Sequence, residues 1–367
     1  MKKKLLLPLG IASSLLLSGC LFDSDSTDNK VSTLTQNSVV AVFTSDYTSG
    51  AMRWLDSNQL ADDSLQFNQD SRIHAGGQYI YVLERFGADN LVRVDAAKLG
   101  IGDAAVEYQK SLGAGANPED VAIVSSSLGW LALSGRGYLL KFNPATGLAM
   151  DSIDISAYSQ DSTPSPQAVA LALYGDTLCV VLQRLTSWSP NHPGLLLLLD
   201  ANKGSIMDTI ALLGHNPGEI VLEDGKLYVA NSGDLMNSEL DDTRSLDVVD
   251  LKTGSVKVLS TSVALGGGPS GLTLDQKNQV LYTSVYKGWG ETTVAKVSLT
   301  DGKVITAKLP GVSNGFGGVA FDNKTQILYV GEQDQTLAGV KSWDGDSLRV
   351  VSSPKVLPPT GFAIANW

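Results

Sequence analysis

A short element returns seven times along the chain, and a repeat of that period limits the fold more than any other feature of the sequence. In five copies a Pro stands three residues ahead of a β-branched, Leu or Phe position that opens an apolar run: Pro118 and Val121, Pro166 and Val169, Pro217 and Ile220, Pro269 and Leu272, Pro359 and Phe362. Asp70 with Ile73 and Phe316 with Val319 match once the Pro is replaced. Successive anchors lie 43 to 52 residues apart. That spacing holds one supersecondary unit and is too short for a domain.

Within each unit a second apolar strand follows, as in Ile80-Tyr81-Val82, Leu227-Tyr228-Val229, Leu281-Tyr282-Thr283 and Leu328-Tyr329-Val330. A third ends in a polar turn with Gly, as in Asn143 to Gly147, Asp200 to Gly204 and Asp250 to Gly254, where Asn, Asp and Gly accept the backbone that a hairpin needs. A fourth, such as residues 255–259 or 303–309, completes the unit. Helical periodicity is weak, and its best candidate, Ala96 to Leu99, is a single turn. Four short strands in each of seven units predict an all-β chain, a seven-bladed β-propeller. The seventh anchor leaves room for one strand, whereas residues 39–65 hold two strands with no anchor. The C-terminal strand is therefore expected to join the N-terminal strands in one composite blade, so that the ring has no exposed edge. The propeller should occupy residues 39–367.

The first residues read differently. Lys2, Lys3 and Lys4 precede an apolar stretch from Leu5 to Leu17, the length of a signal-peptide core and too short to span a bilayer. Leu17-Ser18-Gly19-Cys20 then resembles the bacterial lipoprotein cleavage box, which implies lipidation of Cys20 and loss of residues 1–19. Leu21, in place of Asp, resembles lipoproteins sorted to an outer membrane. Residues 20–38 read as the lipidated Cys and a flexible acidic tether. Removing residues 1–19 takes three Lys with it and brings the formal charge from −11 to −14. Such a charge repels nucleic acid, and three His argue against a multi-histidine metal centre. The other cysteine, Cys179, lies in an apolar run and reads as a buried small hydrophobe.

The run from Leu227 through Asn231-Ser232-Gly233 to Val248-Val249-Asp250 and Pro269 is similar to the YVTN-type, quinoprotein-like propeller repeat family. The likeness is close in that one repeat. Other units depart, with Leu83-Glu84-Arg85 or Gly331-Glu332-Gln333 at the equivalent place. The lipid anchor and propeller together resemble surface lipoproteins that capture corrinoids or siderophores for outer-membrane transporters. This resemblance implies a non-enzymatic binding module at the cell envelope, and the alternatives are a lactonase-like or quinoprotein-type enzyme, or a protein scaffold.

Loops entering the first strand of a blade and loops joining its second and third strands should share one face. The candidate binding residues on those loops are Arg85, Phe86, Arg136, Arg184, Trp188, His215, Asn231, Tyr286, Lys287, Trp289, Phe316 and Glu332. Arg85, Arg136, Arg184 and Lys287 end four second strands at a similar level, which would focus field on an anionic or carbonyl-rich ligand, unless they are simply solvated strand ends. Trp188, Tyr286, Trp289 and Phe316 supply ring faces suited to a sugar, a flat ligand or a partner, unless they pack over the core. No nucleophile elbow, metal spacing or cofactor motif accompanies them, so no catalytic residue and no cofactor is expected. The acidic loop around Asp234, Glu239, Asp241 and Asp242 lacks the pattern of a calcium loop and reads as solvated. Expected partners are a small molecule or glycan, or an envelope protein such as a transporter, with the membrane reached through the lipid.

Overall fold

The computed structural model describes residues 37–367 apart from 57–58, 161, 238, 335, 337 and 352–355. The leader, Cys20 and most of the tether lie outside the described residues. No described helix is long and apolar enough to cross a membrane.

Seven antiparallel sheets form a ring of seven blades, and strand accounts for 57% of the described residues. The inner strands of blades 1 to 6 are Ser71–Gly76, Pro118–Ser125, Ala168–Tyr174, Pro217–Glu223, Gly268–Asp275 and Val319–Asp322, and Pro359–Asn366 is the inner strand of blade 7. Each begins within three residues of its sequence anchor. Blade 7 is the composite one: Pro359–Asn366 pairs with Ser38–Ser45, which pairs with Gly50–Asp56, and Leu65–Phe67 and Gln59–Leu60 lie at the outer edge. Its register runs from Ser38 opposite Asn366 to Phe43 opposite Gly361.

Period-two alternation explains why the middle strands are apolar throughout. In Thr177–Leu182 of blade 3, Leu178, Val180 and Leu182 pack with Trp130, Ala132 and Leu139 of blade 2. The intervening Cys179 and Val181 pack with Leu227 and Val229 of blade 4. Both faces of a middle strand are interior, so the run Leu195 to Leu199 has no polar side to show. Fourth strands lie at the rim, and Leu148–Asp154 is exposed almost throughout. Cys179 is fully buried, and burial pushes its thiol up to about 12, beyond the range of a reactive thiolate. Trp130 ties two blades: its indole N–H donates to the Ala201 carbonyl at 2.8 Å, under the turn that ends at Gly204. Gly204 has φ +80°, and a Cβ there would stand 2.8 Å from the Trp130 ring.

Two elements differ from expectation. The turn at Ala96 extends to Ala105 as two short 3₁₀ pieces, because Asp95 caps the first through the Ala97 amide and Gly102, at φ +64°, separates them. The fourth strand of blade 5 shortens from residues 303–309 to Val304–Thr306, and Leu309 rejoins the third strand through its amide on the Val294 carbonyl at 2.8 Å.

Candidate functional site

The two families of loops share one face, and backbone hydrogen bonds stitch them together blade after blade. The residue leaving the second strand donates its amide to the residue entering the first: Arg85 to Asp70, Ser134 to Asn117, Gln183 to Gln167, Ser232 to Asn216 and Gln333 to Asn314, at 2.8 to 3.2 Å. Buried carboxylates hold the chain where it crosses into a blade. Glu84 accepts from the Asn68 amide at 2.9 Å, Asp89 from Gly115 and Asn117 at 2.8 and 2.7 Å, and Asp247 from Leu213 and Gly214 at 2.9 and 3.0 Å. Orphan amides at these crossings thus find charged acceptors, the stronger class of hydrogen bond.

Glu332 belongs to the same set. It is buried, accepts from the Ser313 and Asn314 amides at 2.8 and 2.6 Å, and pairs with Lys341 at 2.9 Å. Asn231 is equally buried, with its amide nitrogen 3.3 Å from Ser245 Oγ and its carbonyl oxygen unpartnered. Both lie beneath the surface rather than on it. His215 is partly exposed, but Nδ1 stands 2.6 Å from the Pro190 carbonyl and links two loops.

The three arginines do not gather into a positive patch. Arg85 is held by Asp70 at 2.6 Å and Glu119 at 2.7 Å. Arg136 donates to the Ala114 carbonyl at 2.7 Å, and Arg184 to the Tyr158 carbonyl at 3.2 Å. Each guanidinium therefore braces the loop that enters its own blade, and burial moves that of Arg184 down. Lys287 remains exposed at the rim of blade 5.

The aromatics behave otherwise. Trp188 and Trp289 are 80% and 91% exposed, Phe86 is exposed, and Phe316 is partly so with its ring 6.1 Å from that of Tyr286. Tyr47, in the equivalent loop of blade 7, joins them, as does Met236, 94% exposed beside Trp289. Neither was among the sequence candidates. Tyr47 falls between two strands that precede the first anchor in sequence, and only its place between the strands ending at Ser45 and starting at Gly50 puts it on this face. Every exposed aromatic among the described residues lies on this face. Tyr47, Phe86 and Trp188 moreover have φ of +62°, +33° and +65°, a region in which bulky residues are rare.

The face is centred on a cavity of about 390 Å3 at the channel mouth, whose walls include Asp70, Arg72, His74, Glu219, Phe316 and Phe362. Beneath it Glu119 accepts four hydrogen bonds or ion pairs: Arg72 at 3.0 Å and Arg85 at 2.7 Å on one oxygen, Asn117 at 2.9 Å and Ser134 at 3.0 Å on the other. Arg72 also reaches Glu219 at 3.3 Å. Burial pulls the Arg72 guanidinium down, but Glu119 and Glu219 more than restore it, so it stays charged. His74 lies 2.9 Å from Asp120 through Nδ1 and 3.0 Å from the Glu119 carbonyl through Nε2. The sequence signal for this network was charge at the second position after an anchor, as at Arg72, Asp120 and Glu219. Among the described residues no group of three or more His, Cys, Asp or Glu side chains is placed to hold a metal ion.

No protein-family model matches the chain, and no curated protein matches it in sequence. Solved structures do match in fold. The chain is similar to Kuenenia stuttgartiensis hydrazine synthase, at 13% identity over 86% of this chain and 95% of that one, with a TM-score of 0.57. It is similar to a streptogramin B lyase at 12% identity over 78% and 83% of the two chains, with a TM-score of 0.54. A dihydro-heme d1 dehydrogenase is 14% identical over 90% of this chain and 75% of its own, also at 0.54. At such identities the likeness extends to the propeller fold and not to the site.

Proposed function

We propose that the protein is a binding module, lipid-anchored at the cell envelope through Cys20, whose loop face captures a ligand or a partner over the channel mouth. The observation that carries this reading is the set of exposed aromatics confined to that face, three of them in left-handed backbone. Gly or Asn would fit those positions at less cost, and solvent-exposed rings add little to packing, so the folded state alone does not account for them. Large rings beside polar groups suit contact surfaces, where Trp and Tyr supply area at low entropic cost. A nutrient with flat or apolar faces, such as a corrinoid or siderophore handed on to an outer-membrane transporter, fits this reading, as does an envelope protein.

The test is what copurifies with the chain from its native envelope. Replacing Trp188 and Trp289 together by Ala should remove a compound or protein that accompanies the wild type, with each anchor contributing about 2 kcal/mol or more. The melting temperature should stay the same, since both rings are exposed. Unchanged recovery with the double variant sinks the reading. An absorbing cofactor retained by that variant would instead favour a propeller enzyme.

A further inference from the structure

We propose that the channel-mouth cavity is a binding site for a small organic cation, an ammonium group on an apolar body, with Glu219 as its counter-ion. This rests on the reading of the loop face as the binding surface, and it names the charge and the chemical class of what enters it.

The sign follows from how the charged groups are already spent. Asp70, Glu119, Asp120 and Glu219 face two guanidiniums, Arg72 and Arg85, so carboxylates stay in excess by two with His74 neutral and by one with it protonated. Glu119 is saturated by its four donors. Asp120 is also occupied, by His74 and the Val121 amide on one oxygen and the Leu171 amide on the other, at 2.9, 2.6 and 2.7 Å. The remaining pair differ. Glu219 meets only Arg72, through Oε1 at the long distance of 3.3 Å, and its side chain is 45% exposed. Both contacts of Asp70 fall on Oδ1, from the Nε and Nη2 of Arg85. Glu219 Oε2 and Asp70 Oδ2 therefore accept no hydrogen bond among the described residues, and both residues line the cavity.

The other walls fit the rest of such a ligand. Leu272, Val319, Phe316 and Phe362 offer apolar surface, and Tyr47 adds a third ring. Ring faces attract cations within about 6 Å of the centroid, most strongly where water is partly excluded. A carboxylate or phosphate ligand would meet guanidiniums already paired with carboxylates, Arg72 with Glu119 and Glu219 and Arg85 with Asp70 and Glu119, and an excess of carboxylates that repels it. The volume, about 390 Å3, is at the small end of ligand pockets, enough for an amine with one ring.

Calorimetric titration of the purified full chain with phenethylammonium and with 3-phenylpropanoate, ligands of like size and opposite charge, tests this directly. The ammonium should bind and the carboxylate should not. Glu219→Gln should weaken ammonium binding about tenfold or more while leaving the melt unchanged, because its single weak ion pair contributes little to the fold. Asp151→Asn, which alters net charge equally on the exposed outer strand of blade 2, should have no effect. The proposal is overturned by tighter binding of the carboxylate, by Glu219→Gln binding as the wild type does, or by no ammonium binding at millimolar concentration. Loss of envelope capture on replacing Trp188 and Trp289 would still stand in each of those cases, which separates this failure from that of the broader reading.

Discussion

His74 is flanked by two acceptors, the Asp120 carboxylate on Nδ1 and the Glu119 carbonyl on Nε2. A neutral imidazole carries one N–H and satisfies one of them; the imidazolium satisfies both. Burial pushes the group down, but the attraction of Asp120, with a smaller one from Glu219, outweighs it against the opposition of Arg72, and the net shift is upward from the ordinary value near 6.5. The sign for stability follows. A group whose folded value exceeds its unfolded one stabilises the protein fully below the unfolded value, and loses that contribution as pH rises through the folded one. The unfolding free energy of the wild type should therefore exceed that of His74→Gln by more at about pH 5 than at about pH 9. Denaturant titrations of both proteins at the two pH values measure it; an equal gap at both would show that His74 is held neutral.

Pro359–Asn366 is one strand, yet it completes a ring. It pairs with Ser38–Ser45 along seven residue pairs and packs against the inner strands of blades 1 and 6. Deleting residues 359–367 should expose the edge of Ser38–Ser45 and the core around Val39, Ala41 and Phe43, and end cooperative thermal unfolding or cause aggregation. A truncated chain that melts at the parental temperature would refute the closure. This strand was legible from arithmetic, since an anchor with room for one strand and two strands without an anchor must make one blade. Loop placement was legible for a similar reason: once strands alternate in direction, topology dictates which loops share a face. What each loop side chain does there was not. Arg85 looks in sequence like Arg136 and Arg184, and only the fold brings Glu119 from the next blade to neutralise it. Glu332 and Asn231 sit at strand exits that sequence alone places at the surface, and the crossing chain folds over both. Partners 18 or 34 residues away, as for Glu332 with Asn314 and Asp247 with Leu213, leave no local periodicity to read. The exposed rings of Phe86, Trp188, Trp289 and Phe316 were legible because nothing in the core pattern called for them, whereas Tyr47, ahead of the first anchor, was not.

For the molecule as a whole, the proposed anchor at Cys20 would decide where the ring works. If Cys20 carries lipid, Cys20→Ala should move the protein from the membrane fraction to the soluble one, since the acyl chains would then be its hold on the bilayer. Persistence in the membrane after a carbonate wash would locate another attachment. The composite blade also has a bearing on how the chain reaches its final form. Blades 1 to 6 pair strands that are close in sequence, so each can assemble as a local hairpin array while later residues are still being made. Ser38–Ser45 cannot: its inner partner is the last strand of the chain. Closing a loop of that length carries the largest entropic cost in the molecule, and the first strand must wait with one edge unsatisfied until it is met. The seam that seals the ring is thus the last to form in folding, and the place where transient opening and exchange of strands between neighbouring molecules would begin.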